Sequence, residues 1–317
     1  MKITAILCTY NRCDSLARAL DSLAASILPE DIEWEVLLVD NNSTDRTREV
    51  VEMFRSRHPG RFRYFFEPRQ GKSFALNSGI REARGNILAF VDDDVTVEPT
   101  WLHSLTSPLH DGEWAGAGGR ILPERSFVPP SWLAIEGPMS MIGALCAYSD
   151  PGDIPGELKT PLVGANMAIR REMFDKYGDF RTDLGPRPGN EVRHEDTDLS
   201  RRLTSGGERL RYVPSATVYH EIHEGRVRKQ FFLNWYFDFG RGFVRQAKRS
   251  LSAKQMLKLF ARATLTALQW LITINPQRRF YRKCWTWLEG GKIVECSHRA
   301  RQKRASSAEG RERLGEA

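Results

Sequence analysis

Residues 87–94 read ILAFVDDD, an apolar run that ends in three adjacent carboxylates. A continuous apolar run of this kind is typical of a strand that is buried on both faces. Three further runs lie at 3–8, 34–39 and 62–66, and segments with helical spacing separate them. This alternation predicts an α/β fold, with a doubly wound and mainly parallel sheet in a Rossmann-like α/β/α sandwich.

The predicted topology also indicates where a ligand would bind. Right-handed crossovers place the loops that follow parallel strands at one edge of the sheet, where open α/β sheets bind their ligands. We therefore expect residues 9–12, 40–42 and 92–94 to lie close together, although they are far apart in the sequence. Later segments predict strands at 162–169 and 210–213 and a helix at 195–205.

The composition is that of an ordinary globular protein with an uneven charge. The 317 residues carry a net charge of +7, and 41% of them are hydrophobic. Residues 241–304 contain 16 Lys and Arg but only two acidic residues, which favours contact with an anionic surface, either lipid or nucleic acid. The five cysteines are scattered without a CxxC pair, which argues against a disulfide framework and favours a reducing compartment.

The acidic triplet is the first candidate site. The carboxylates of Asp92, Asp93 and Asp94 repel one another unless a cation neutralises them. Asp92 and Asp94 alternate at the strand end, so that their oxygens can hold Mg²⁺ or Mn²⁺ together with a diphosphate. The alternative is a solvated turn ahead of a helix that begins near Pro99. The position at the carboxyl end of a strand favours ligand binding.

Two other polar residues can reach a nucleotide. Asp40 ends the second strand and can accept a hydrogen bond from a uracil N–H or a ribose hydroxyl; the alternative is a turn or cap acceptor ahead of Ser43. Lys72 stands at a predicted helix N-terminus and can reach the nucleotide, although an isolated lysine is more often solvated. A P-loop is excluded because Phe66 stands where the first glycine is required.

Acidic residues also open the helix predicted at 195–205. Glu195, Asp196 and Asp198 fall in its first turn, where the helix dipole stabilises negative charge. Helix capping is one explanation of this pattern. A carboxylate that is held ionised is also what a general base requires, so this turn is a candidate catalytic site.

Together these motifs resemble the family-2 glycosyltransferases, which have the GT-A fold. The resemblance covers about residues 3–225, and its strength lies in the order and spacing of motifs that are weak individually. The motifs are Cys8-Thr9-Tyr10-Asn11-Arg12, Val39-Asp40-Asn41-Asn42-Ser43-Thr44-Asp45, Gly71 with Asn77 and Gly79, Asp92-Asp93-Asp94, Gly164-Ala165-Asn166 with Arg170-Arg171, and Glu195-Asp196 with Asp198-Leu199.

The resemblance implies a role for each matching position. Asp196 matches the family's catalytic base, and Glu195 matches a contact with the acceptor. Asp94 would hold Mn²⁺ or Mg²⁺ on the diphosphate, and His220 would complete the metal site, although lone histidines are usually structural. The resemblance also implies that residues at the sheet edge bind the nucleotide-sugar donor, with Asp40 at the base and Asp92 at the ribose. These residues are Thr9, Tyr10, Arg12, Asp40, Asp92 and Asp93. Lys72 is added to the expected donor site because of its place at a helix N-terminus.

We therefore expect an inverting, metal-assisted transfer of a sugar from a nucleoside-diphosphate sugar to a saccharide or lipid-linked acceptor. Uridine diphosphate is the expected nucleotide, although thymidine and guanosine diphosphate sugars also serve the family. The chain lacks the Gln-x-x-Arg-Trp signature of processive synthases, so we expect the transfer of single sugars. The alternatives are a nucleotidyltransferase of similar fold, a retaining hydrolase, and a membrane- or nucleic-acid-binding adaptor without catalysis.

The predicted organisation has three parts. Residues 1–225 form the GT-A catalytic domain, divided into a nucleotide-binding half (1–119) and an acceptor half (120–225). Residues 226–304 form a basic, partly amphipathic helical extension, and 305–317 a disordered tail. An irregular lid is predicted at 123–160.

The C-terminal extension also bears on where the protein acts. The most apolar stretch, 256–274, contains Lys258 and Arg262, and its uncharged part is too short to span a bilayer. We therefore expect a cytoplasmic protein that docks peripherally, through residues 241–304, on the anionic inner face of the cell membrane. Nucleic acid is not an expected partner, because the other motifs already imply a sugar donor.

Overall fold

The computed structural model describes residues 2–247 and 253–315, which form two compact units. The first, here called the sheet unit, contains most of the chain up to residue 223. The second, the helical unit, contains 129–141, 190–194 and the described residues from 224 onward. The sequence did not predict that the first two of these segments belong with the C-terminal helices.

One nine-stranded sheet runs through the whole sheet unit. Its strands are β1 (Lys2–Thr9), β2 (Glu33–Asp40), β3 (Phe62–Phe66), β4 (Ile87–Asp92), β5 (Val95–Val97), β6 (Gly116–Pro123), β7 (Gly156–Glu157), β8 (Asn166–Arg170) and β9 (Leu210–His220). Their order is β3-β2-β1-β4-β8-β6-β9-β5, and β7 pairs with β9 outside this path. The neighbours β3, β2, β1 and β4 are parallel, and β8 enters antiparallel beside β4.

Helices cover both faces of this sheet because successive residues of a buried strand point to opposite sides. In β1, Leu7 joins the core cluster beneath the helices at 13–24 and 47–57, whereas Ile6 joins the cluster beneath the helices at 72–82 and 195–205. The α/β class with a central, mostly parallel sheet is therefore confirmed. The helices of this unit are α1 (Cys13–Ala24), α2 (Thr47–Arg57), α3 (Lys72–Glu82), α4 (Trp101–Thr106), α5 (Ile142–Cys146), α6 (Glu172–Tyr177) and α7 (Glu195–Ser205).

The later strands differ from their predicted bounds. The strand predicted at 162–169 begins only at Asn166, and the strand predicted at 210–213 continues to His220. Strand β6 was not predicted at all. It also joins the two predicted halves, because its residues lie on both sides of the expected boundary between 119 and 120.

The helical unit confirms the C-terminal helical region. It contains α8 (Lys229–Gln246), α9 (Ala253–Ile272) and α10 (Pro276–Gly315), and α10 packs against both other helices. Trp132, from the segment predicted as a lid, makes edge contacts with Phe232 and Phe280, with ring centroids 5.6 and 5.2 Å apart. Among the described residues, no helix has both the length and the apolar character needed to cross a membrane.

The C-terminal end differs from the prediction of a disordered tail at 305–317. Helix α10 continues through 305–315, and residues 316 and 317 lie outside the described part of the chain. The tail was predicted to be disordered because it is rich in Arg and Glu. That composition argues against a packed core but not against a helix, since Arg, Glu, Ala and Leu all have high helix propensity.

Candidate active site

The carboxyl ends of β1, β2 and β4 lie side by side. In the parallel register, Thr9 is opposite Asp40, and Cys8 is opposite Asp92. The loops that follow are tied together, since the Asn41 N–H donates to the Thr9 carbonyl at 2.8 Å and the Asn11 N–H donates to Ser43 Oγ at 3.0 Å. This confirms the expectation that residues 9–12, 40–42 and 92–94 converge.

Two cations of the protein offset part of the negative charge of the acidic triplet. Arg12 Nη1 lies 2.9 Å from Asp93 Oδ1 and 2.9 Å from Asp94 Oδ2, and Lys72 Nζ lies 2.5 Å from Asp92 Oδ1. Burial raises the pKa of the Asp93 carboxyl, an effect that Arg12 opposes and Asp94 reinforces. The sequence predicted Arg12 as a nucleotide contact, but in the structure its guanidinium binds two of the three carboxylates.

His220 faces the same carboxylates from the end of β9. Its Nε2 lies 3.4 Å from Asp94 Oδ1, and its Nδ1 lies 2.9 Å from the Glu221 carbonyl. A backbone contact at one ring nitrogen commonly fixes the tautomer of a metal-binding histidine and directs the other nitrogen at the metal. Ligand atoms of Asp92, Asp94 and His220 all lie within 4.8 Å of one another. The carboxylate donors of such a group suit Mn²⁺, and imidazole is a ligand of first-row transition metals.

Asp196 lies in the first turn of α7, at the predicted helix. Its Oδ2 accepts a hydrogen bond from the Gly164 N–H at 3.0 Å, and its Oδ1 accepts one from the Thr197 N–H at 2.6 Å. A Cβ on Gly164 would lie 3.7 Å from Asp196 Oδ2 and 3.8 Å from Lys72 Nζ. Glycine at this position therefore leaves space between the candidate base and the lysine that binds the acidic triplet.

Lys72 connects the two groups of carboxylates electrostatically. Burial lowers the pKa of its ammonium group, but the attraction of Asp92, Glu195 and Asp196 outweighs burial and raises that pKa overall. The ammonium group is therefore charged throughout the physiological range. Asp198, by contrast, ties α7 to the segment before it, because Arg181 bridges it at 3.1 Å. A second bridge, from Arg202 at 3.0 Å, lies within α7.

The residues predicted at the nucleotide base lie farther along the same edge. Asp40 is buried, and it accepts hydrogen bonds from the Ser43 N–H and from Tyr64 Oη, each at 2.8 Å. The turn-acceptor role that the sequence left open is thus present. Tyr10 has 38% of its surface exposed, which leaves its ring accessible to a ligand. The contact from Tyr64 was not predicted, because nothing in the sequence aligns β3 with β2.

A cleft of about 460 Å³ opens beside Asp196. None of its other lining residues was predicted as a site residue. Most of them come from the irregular stretches at 148–151 and 160–163, and Thr197 lies beside Asp196 in α7. Leu162 and Val163 line the cleft next to Gly164, and residues 148–151 form another part of its wall. The full lining is Tyr148, Ser149, Asp150, Pro151, Thr160, Pro161, Leu162, Val163, Asp196 and Thr197.

Solved structures identify the class of fold. The mannosyltransferase PcManGT from Pyrobaculum calidifontis, solved with GDP-Man and Mn²⁺, has a TM-score of 0.60 at 19% identity, and the match covers 93% of this chain and 85% of that one. GalNAc-T7, solved with UDP, GalNAc and Mn²⁺, has a TM-score of 0.59 at 16% identity over 89% of this chain and 54% of that chain. The fold is therefore of the GT-A class.

Sequence comparison then gives the family. The sequence model of Glycosyl transferase family 2 matches residues 4–178. The succinoglycan biosynthesis protein ExoM of Rhizobium meliloti is 31% identical over 222 residues, which is 70% of this chain and 67% of ExoM. The glucosyl-dolichyl phosphate glucuronosyltransferase of Haloferax volcanii is 26% identical over 250 residues, 78% of this chain and 77% of its own. The chain belongs to glycosyltransferase family 2 and is a glycosyltransferase.

Proposed function

We propose that this glycosyltransferase moves a single sugar from a nucleoside-diphosphate sugar, with UDP as the nucleotide, to a hydroxyl group of a saccharide or lipid-linked acceptor, inverting the anomeric carbon. One observation carries the proposal. Asp196 Oδ2 and the Lys72 ammonium group, which binds Asp92 of the acidic triplet, both lie within 4 Å of the space above Gly164. In the proposal this is the reaction space, with the general base on one side of it and the diphosphate site on the other.

Asp94 and His220 would hold a divalent metal ion, with Asp92 close beside them. The carboxylate oxygens fit Mn²⁺ or Mg²⁺. Arg12 holds Asp94 Oδ2, and this leaves Asp94 Oδ1 directed toward the imidazole of His220, where both could bind one ion. When bound, the cation would offset the negative charge that develops on the departing diphosphate. Lys72 supplies further positive charge at the same place, since its ammonium group is held at Asp92.

Asp196 is the proposed general base. It would accept the proton of the acceptor hydroxyl as that oxygen attacks the anomeric carbon in a direct displacement. Its position in the first turn of α7 places the carboxylate at the positive end of the helix dipole. The N–H groups of Gly164 and Thr197 fix the direction of the carboxylate, as a base that must meet one hydroxyl requires.

The cleft beside Asp196 is the proposed acceptor site. Its volume of about 460 Å³ lies within the range of small-molecule sites. Tyr148 offers a ring on which a sugar can stack, and residues 148–151 would shield the reaction from water. Glu195, next to the base, is the proposed further acceptor contact. The names of two relatives support a saccharide or lipid-linked acceptor, since one acts in succinoglycan biosynthesis and the other on glucosyl-dolichyl phosphate.

The stereochemistry of the product tests the proposal directly. The protein would be incubated with Mn²⁺, a saccharide acceptor and α-linked UDP-, GDP- or thymidine-diphosphate sugars in turn, and the product followed by proton NMR. We expect transfer from the UDP sugar and the coupling of a β-anomeric proton. Retention of the α-configuration, or equal release of free sugar without any acceptor, would contradict an inverting transferase.

A further inference from the structure

Helix α9 has two faces of opposite character. Its inner face packs on α10, where Leu259 is buried and Trp270 meets Trp287 edge to face with ring centroids 5.9 Å apart. Its outer face is also apolar, yet it is exposed. Because the inner contacts fix the rotation of the helix, the outer side chains are held away from the helical unit.

The outer face forms a continuous apolar stripe along the helix. Its six apolar side chains have large exposed fractions: Leu257 71%, Phe260 48%, Leu265 54%, Leu268 55%, Leu271 60% and Ile272 75%. At 100° per residue, these six fall within a sector of about 140° around the helix axis, and the centre of this sector is opposite Leu259. A contiguous exposed stripe of this kind marks an interaction surface, whereas single exposed apolar residues do not.

Positive charge borders the stripe. Residues 253–288 contain seven Lys and Arg and no Asp or Glu. Lys254 and Lys258 are exposed at one edge of the stripe, and Arg278 and Arg279 are exposed at the start of α10. Arg262, farther around α9, pairs with Glu289 of α10 at 3.4 Å. An apolar face bordered by cations is the pattern of helices that lie in the interface of an anionic bilayer.

We propose that α9 docks this stripe into the boundary between headgroups and acyl chains of an anionic lipid bilayer, with the helix axis in the plane of the membrane. The apolar side chains would enter the acyl layer while the bordering cations meet the lipid phosphates. The proposal narrows the membrane contact expected at 241–304 to one face of one helix. It does not depend on the sugar, the acceptor or the catalytic residues.

The charge pattern favours lipid over a second copy of this chain. A symmetric dimer formed through the stripe would bring Lys254 and Lys258 at its edge together with those of its partner, and α9 carries no acidic residue to separate them. Like charges that face each other across an interface disfavour association. The pattern also favours lipid over nucleic acid, since the centre of the surface is apolar and would remain in water on a phosphate backbone.

Vesicle sedimentation of the full chain tests the proposal. Vesicles of phosphatidylcholine with and without phosphatidylglycerol would be compared for the natural protein, Leu268→Glu/Leu271→Glu and the control Val294→Glu. Val294 is apolar, 49% exposed and lies on α10. We expect binding to the anionic vesicles, a loss of about a hundredfold in partitioning for the double variant, and no change for the control. Transfer to a water-soluble saccharide should stay at the natural level in all three.

A second variant tests the role of charge independently of the apolar side chains. Lys254→Gln/Lys258→Gln should weaken partitioning into anionic vesicles about thirtyfold at low salt and leave the weak binding to phosphatidylcholine alone unchanged. The proposal is overturned if the natural protein binds neither kind of vesicle, or if Leu268→Glu/Leu271→Glu binds anionic vesicles as well as the natural protein does. If the natural protein forms a dimer without lipid and Leu268→Glu/Leu271→Glu dissociates that dimer, the stripe belongs to a second copy of the chain instead.

Discussion

The edge of the sheet and the outer face of α9 use charge in opposite ways. At the sheet edge, Asp92, Asp93 and Asp94 are each bound by a lysine or arginine nitrogen within 3.0 Å. Along α9, cations border an apolar stripe in a segment without acidic residues. The first arrangement fixes individual atoms for chemistry, whereas the second spreads a weak attraction over a surface. A single substitution should therefore have a drastic effect in the first region and a modest one in the second.

The largest effect is expected at the candidate base. Asp196→Asn keeps the shape of the side chain but removes the proton acceptor, so turnover should fall about 10²- to 10⁴-fold. Affinity for the donor nucleotide should change little, since Asp196 binds backbone groups of Gly164 and Thr197 rather than the acidic triplet. Initial rates and calorimetry on the same preparation would measure both. If Glu195→Gln causes the larger loss of turnover, the base is Glu195.

A second large effect concerns the free energy of unfolding of the sheet unit. Glu67 is buried and bound by Arg69 through two nitrogens, each 2.8 Å from a carboxylate oxygen, and by Ser78. These hydrogen bonds, with those from Arg69 first, lower the pKa of Glu67 to about 2. Because the pKa is lower in the folded state, the stabilisation is complete above the ordinary value near 4.5 and is lost as the pH falls toward 2.

Glu67→Gln should therefore lower the free energy of unfolding by about 3 kcal/mol at pH 7, and the difference from the natural protein should shrink as the pH falls below 4.5. Urea unfolding at a series of pH values measures this dependence. Glu52→Gln is the matched control, since Glu52 is half-exposed and pairs with Arg55 on the surface of α2. A difference for Glu67→Gln that stays constant down to pH 2 would rule out this origin of the stability.

An intermediate effect is expected at the candidate metal site. Asp94→Ala and His220→Ala should each weaken Mn²⁺-dependent binding of the donor nucleotide by about 10- to 100-fold, and chelation should stop transfer. His223→Ala is the control, because His223 lies three residues away and faces Glu221 at 3.5 Å. Calorimetry with and without Mn²⁺ measures the difference. Equal nucleotide affinity under both conditions in the natural protein would refute the metal site.

Much of the sheet edge could be predicted from the sequence because it depends on local patterns. Apolar runs located β1, β2 and β4, and the acidic residues of 195–198 located the start of α7 correctly. Strand β6 could not be found in this way. It is rich in glycine because neighbouring atoms fill the space where side chains would stand: a Cβ on Gly119 would lie 2.1 Å from the Ala216 carbonyl oxygen.

The partners of the site residues could not be predicted either. Contacts such as Tyr64 with Asp40, or Gly164 with Asp196, join residues that are distant in the sequence and depend on the order of the strands. The apolar character of α9 was visible in the sequence, but its outward direction was not. Periodicity alone cannot show which apolar side chains pack on a neighbouring helix and which remain exposed.

The smallest effect is expected from one substitution on α9, and two leucines of this helix provide a matched pair. Leu268 lies on the outer stripe and is 55% exposed, whereas Leu259 lies on the inner face of α9 and is only 8% exposed. Leu268→Ser should reduce partitioning into anionic vesicles only about fivefold, because the other side chains of the stripe still enter the acyl layer. It should leave the unfolding temperature unchanged, since the side chain has little packing to lose.

Leu259→Ser should instead lower the unfolding temperature, because it places a hydroxyl and a cavity in a packed interface. Sedimentation with vesicles and thermal unfolding without lipid, performed on both variants, separate the two effects. If Leu268→Ser lowers the unfolding temperature as much as Leu259→Ser does, the outer face of α9 is packed within the protein and is not a surface that lipid can reach.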